Sequence, residues 1–225
     1  MASASPHDTA LEHLRIIRTL MERSHIYRAV SAPAALIGGI LALFVSGYGI
    51  WQEYLREAVT GGDPGFRGTR FLVVWLALLV LASVINLFLL MRESSDKGEP
   101  VVTDGLKMAL RAVVPPLLTG GILGICLIVY VQQIELAALV WVLCYGLALQ
   151  ATVSFAPRSI IHLARAFLIT GQVLTLLWFA MGGPGLAIWN GAVASAFLGL
   201  TFGLFHVIYA VAVFFKSSTA TGPLV

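Results

Sequence analysis

The sequence predicts an all-α integral membrane protein: a bundle of six transmembrane helices preceded by an amphipathic helix. Three observations predict this. Hydrophobic residues fill 59% of the 225 positions and charged residues only 11%, with a mean hydropathy of +0.91, whereas soluble domains are about a quarter charged. Six charge-poor runs, at 29–51, 71–91, 112–131, 136–155, 166–181 and 186–215, match or approach the roughly 20 residues that cross a hydrocarbon core. Of the 14 Lys and Arg residues, only Arg56, Arg67 and Arg70 fall in connections on one side; the rest fall in the N-terminal arm, the second and fourth connections and the tail. Positive loops resist translocation, so this asymmetry puts both termini in the cytoplasm. The net charge of +3 then reflects topology and an anionic inner leaflet, and no nucleic-acid partner is needed to explain it.

The chain divides into an amphipathic cytoplasmic or interfacial helix (1–28), a six-helix transmembrane domain (29–216) and a short cytoplasmic tail (217–225). In the first part Ser5 is a helix cap, Pro6 takes the first helical position, and Asp8 stands three residues after the cap, where it meets free amides. Leu11, Leu14, Ile17, Leu20, Met21, Ile26 and Tyr27 form an apolar stripe opposite Glu12, His13, Arg15, Arg18, Glu22 and Arg23. Such a helix lies on a membrane surface or docks a protein partner through residues 9–28. The first 29 residues lack an apolar h-region, so the first span is expected to be the targeting signal itself.

The first span carries Pro33 in its first turn. Glu53, Arg56 and Glu57 allow another helical turn beyond it, and Gly61-Gly62-Asp63-Pro64-Gly65 marks a turn. After the second span, residues 92–107 form a polar connection whose end, 101–111, is expected to be a short interfacial helix capped by Thr103 or Asp104. Pro115 and Pro116 are expected in the first turn of the third span, where missing donors cost least. Cys126 and Cys144 lie in spans three and four and read as small apolar fillers, since no Cys-x-x-Cys or Cys-His spacing is present. The sixth run is too long for one upright helix and is expected to tilt or to project.

The three outward helices begin alike, with His25-Ile26-Tyr27-Arg28-Ala29-Val30, Met108-Ala109-Leu110-Arg111-Ala112-Val113 and His162-Leu163-Ala164-Arg165-Ala166-Phe167. The first two continue alike, with a proline and a glycine pair, which suggests three parallel hairpin repeats; the topology of outward helices accounts for the arginines alone. Arg28, Arg111, Arg165, His25 and His162 fall at headgroup level, where phosphate contact explains them.

Ionisable groups inside a span are functional hypotheses by default. His206 is the candidate, on one helix face with Gly199 and Gly203, where small residues admit a neighbouring backbone. Asn86, Gln150 and His206 each lie in the cytoplasmic half of an inward helix and would line a pocket if the hairpins surround an axis. Gln172 and Asn190 are weaker candidates. Amide hydrogen bonding between helices is the plainer reading of all of them. A haem ligand at His206 is a further reading, but His162 lies about ten residues nearer its membrane face, roughly 15 Å at 1.5 Å per residue, which suits no bis-histidine site. No metal site and no cofactor is expected. No phosphate loop, zinc-protease or serine-hydrolase motif is present, and no Asp or Glu falls within a predicted span, so an enzyme or a carboxylate-driven pump is disfavoured.

The stretch LEHLRIIRTLMERSHIYRAVSAPAALIGG, with GLTFGLFHVIY around His206, resembles a group of uncharacterised bacterial six-helix inner-membrane proteins. The resemblance covers about a fifth of the chain. It implies a bacterial inner-membrane location and puts Met21, Glu22, Arg23 and His206 among recurring positions; it implies no activity. Function therefore stands as a non-enzymatic accessory, sensory or scaffold subunit, with a small-solute transporter or channel, or a haem- or quinone-linked redox subunit, as the alternatives.

Overall fold

The computed structural model describes residues 31–59, 64–98, 102, 104–183 and 191–220. The amphipathic segment 1–28, with His25 and Arg28, lies outside the described residues. Among those described the protein is helical, with α1 at Ala32–Val59, α2 at Pro64–Lys97 and α3 at Asp104–Cys126, the last closing in a π-helical turn at Leu127–Val131. Helix α4 spans Ile134–Gln150 and α5 spans Arg158–Ala180. Helix α6 comprises Gly191–Leu198, a π-helical stretch Gly199–Phe205, and His206–Ala220. Five of the six are long and apolar enough to cross a membrane, and α4 is a shorter apolar helix.

The helices form two groups of three. Helix α4 is the centre of one, packed between α3 and α5, and α1 is the centre of the other, with α6 lying along it and α2 packed on another side. The groups meet where α4 packs on Gly191–Leu198. Close backbone approach supplies van der Waals contact between the helices. Gly120 and Gly124 of α3 accept Cys144 and Trp141 of α4, while Gly146 of α4 and Gly171 of α5 each receive side chains from the other helix. Ala137, Ala138, Val142 and Ala148 of α4 have no exposed surface. Both cysteines are free thiols, with Cys144 acting as packing against Gly120.

Several boundaries differ from the sequence reading. Residues 104–111 do not form a separate interfacial helix but are the first turns of α3. Pro115 and Pro116 therefore lie inside that helix. An internal proline frees carbonyls one turn back; here those belong to Arg111 and Ala112, at the helix end beside the polar connection. Helix α2 extends to Lys97 and holds 34 residues, about 51 Å at 1.5 Å per residue, longer than a hydrocarbon core of about 30 Å. Helices α3 and α4 turn at Gln132, whose φ of 59° is left-handed. Its side-chain Nε2 donates to the Val129 carbonyl at 2.9 Å, and the amide of Gln133 donates to Leu127 O at 3.0 Å, closing the end of α3. In the third helix pair, α6 lies mainly along α1, not along α5 as the repeat would have it.

Candidate functional site

Helix α6 has two faces that a regular helix would merge. Gly199, Gly203 and His206 would share one side of an α-helix, as the sequence suggests. The structure separates them. In the π-helical stretch hydrogen bonds skip one residue more, so each turn holds more residues and the faces rotate. Side chains at Gly199 and Gly203 would meet Ser46 and Leu43 of α1, whereas His206 points to α4 and α5.

His206 is 9% exposed and its Nε2 lies 2.8 Å from the Tyr145 hydroxyl. Two aromatic rings, Phe167 and Phe202, wall the pair, and Phe205 packs on Phe167. Phe202 stacks on the imidazole at 6.1 Å and 9°, one turn back on the same helix. Phe167 of α5 meets it edge-on at 5.6 Å and itself touches Tyr145 at 4.7 Å, Phe202 at 5.2 Å and Phe205 at 5.6 Å. Edge-to-face contacts of this kind suit the ring quadrupoles. Nδ1 is buried and makes no hydrogen bond among the described residues. Tyr145 can donate to a neutral imidazole at Nε2 or accept from Nε2–H, so the pair can hold or shift one proton within a shell of apolar rings.

Of the residues singled out from sequence, Gln150 lies on α4 five positions beyond Tyr145, half-buried, with its Oε1 buried and making no hydrogen bond among the described residues. Asn86 is half-buried on α2, which packs mainly on α1. Arg111, Arg165 and His162 are exposed, near the helix ends that also carry Arg92, Lys107, Arg158 and Lys216; this is termed the basic end below. Gln172 is exposed, and Asn190 lies outside the described residues. Among the described residues no group of three or more His, Cys, Asp or Glu side chains could hold a metal ion.

Sequence reasoning missed Tyr145. Its signal was a polar-tipped ring in an otherwise apolar span, which when buried calls for a partner. It also missed a polar cluster at the end opposite the basic one. There Arg70 of α2 sits 5.6 Å from the centre of the Tyr48 ring and 3.4 Å from Gln52 Oε1. Glu53 lies against Gly191 of α6. A cavity of about 30 Å³ lies between them, bounded also by Ser195 and Trp75; it has room for one water. Glu135, in the first turn of α4, is buried at 9% exposure. Comparison with family models, curated proteins and solved structures finds no match to this chain.

Proposed function

We propose that this chain is a six-span protein of a bacterial inner membrane, with both termini in the cytoplasm, and that it works as a non-enzymatic accessory or scaffold subunit. The bundle holds residues 9–28 at the cytoplasmic face, where they engage a protein partner or the anionic leaflet. Arg28, Arg111, Arg165, His25 and His162 then lie at the level of the lipid phosphates. The observation that carries this reading is the use of His206: its Nε2 is bonded to Tyr145 and its ring is walled by Phe167 and Phe202. A side chain used in this way joins helices, whereas a ligand or haem would first have to displace Tyr145 or a phenylalanine.

The test is purification of the full chain from native membranes in mild detergent, beside a chain lacking residues 1–24. A stoichiometric partner retained by the first and lost from the second is the expected outcome. A Soret band that disappears in His206→Ala, or solute-dependent uptake in proteoliposomes, would overturn it. The second of these results would establish the transporter reading, which one observation favours: Gln150 Oε1 and His206 Nδ1 are both buried and make no hydrogen bond among the described residues.

A further inference from the structure

The cavity between α1, α2 and α6, at the end opposite the basic one, has polar groups that the bundle leaves unused. Its walls include Tyr48, Gly49, Glu53, Arg70, Trp75 and Ser195. Ser195 is 2% exposed, and its hydroxyl makes no hydrogen bond among the described residues; Ser46 bonds only its carbonyl. A buried hydroxyl left in this way costs free energy until a partner arrives. Gly49 keeps the space beside it open, since a Cβ there would come within 2.6 Å of Ser195 Oγ. Arg70 leans on the Tyr48 ring and reaches Gln52 Oε1 only at 3.4 Å. A guanidinium has five donors in a fork suited to carboxylate or phosphate, and no carboxylate pairs with this one among the described residues. Glu53 follows the apolar run 29–51 by two residues, and Arg70 directly precedes the run 71–91. Trp51 and Tyr54 of α1 are 57% and 78% exposed at the same level. Charges at the ends of apolar runs, beside exposed Trp and Tyr, mark the headgroup zone of a bilayer.

We propose that this cavity seats the ammonium group of an ethanolamine phospholipid, with the lipid phosphate on Arg70. Its volume of about 30 Å³ admits a group the size of water, and a primary ammonium is such a group. The N–H donors of that ammonium meet acceptors in the Glu53 carboxylate and Ser195 Oγ. Ser195 is buried while Arg70 is half-buried, so the serine marks the floor of the site and the arginine its rim, the order in which the headgroup carries its two charges. A choline head has the same charge but no N–H donor, and its three methyl groups exceed the space. A glycerol head brings no cation for Glu53. The inference rests on the helices crossing a bilayer; it is independent of the scaffold role and of which end faces the cytoplasm.

The experiment is native mass spectrometry of the full chain in mild detergent, with ethanolamine, choline and glycerol phospholipids of identical acyl chains added in equal amounts. The ethanolamine lipid should be retained about tenfold over the choline lipid, the ratio expected for one hydrogen bond to a charged group. This comparison needs no variant. Glu53→Gln and Ser195→Ala should each lower the preference about threefold or more, whereas Arg70→Gln should lower retention of all three lipids alike. Equal retention of ethanolamine and choline lipids, or a preference that survives both Glu53→Gln and Ser195→Ala, would leave the cavity to water and overturn the proposal. Release of the lipid by excess free phosphoethanolamine would make the site one for a soluble zwitterion, which also overturns it. Alkaline carbonate extraction tests the premise separately: the chain should stay with the membranes, and its release would overturn the spanning helices themselves, whatever the lipid ratios.

Discussion

The two faces of α6 are held by opposite means. On the face toward α1, Ser195, Gly199 and Gly203 fit against Gly49, Ser46 and Leu43, and Ser46 Oγ donates to the Ser195 carbonyl at 2.6 Å. On the face toward α4 and α5, large rings fill the space, and one polar pair, Tyr145 with His206, bridges the helices. The comparison shows two ways of joining helices when lipid is as apolar as the side chains: bring backbones close, or fill the space and add a hydrogen bond. The π-helical stretch lies where one mode gives way to the other.

The largest expected effect is at the ring side. Phe167 is fully buried and touches every other ring of the cage, so Phe167→Ala should cost about 3–5 kcal/mol, read as a lower unfolding midpoint of the purified protein in lipid discs. A loss under about 1 kcal/mol would mean that the rings fill space without supporting the bundle. On the close-packed side, Gly199→Leu and Gly203→Leu force α1 away from α6 and should each cost about 1–3 kcal/mol. Ala at Gly203, whose Cβ would already meet the flexible end of Leu43, should cost less than Leu; equal costs would mean that even one methyl group cannot be fitted between the two helices.

Smaller effects separate the hydrogen bond from the rings. Tyr145→Phe should lose about 0.6 kcal/mol and at most about 1.7, the range for polar contacts between membrane helices. A double-mutant cycle with His206→Phe should return that value as the coupling between them; zero coupling would mean that the hydroxyl and the imidazole do not share a proton. The smallest effect belongs to α2. Phe88 lies on its exposed face, and Phe88→Ala should change stability by no more than about 0.5 kcal/mol. A larger loss would reveal a second copy or another protein on that helix.

Much of the helical layout was legible in advance because apolar runs of about 20 residues are long enough for helices of membrane-spanning length, and those runs stand plainly in the sequence. Glu53, Arg56 and Glu57 were legible as a further turn of α1 for a similar reason: nothing there breaks a helix. The ends next to polar connections were harder. Residues 92–97 and 104–111 are polar enough to read as a loop and a separate helix, yet they extend α2 and α3, since a helix satisfies its own peptide groups and continues through polar residues until something breaks it. The candidate site was half legible. A histidine inside a span attracts notice by its cost, but its neighbour Tyr145 lies 61 residues away, and no period in the sequence links the two.

By itself, the sequence determined composition, the apolar segments and the helical class, because each follows from the transfer cost of residues read one after another. It also determined the uneven spread of positive charge. Only the tertiary structure decided that α6 lies along α1, that α2 stands at the edge, and that Gly203 and His206 face different neighbours. Those outcomes depend on which backbones can approach within a side chain's width and on how a π-helical stretch turns one face from another. Such relations exist between helices and have no counterpart along the chain.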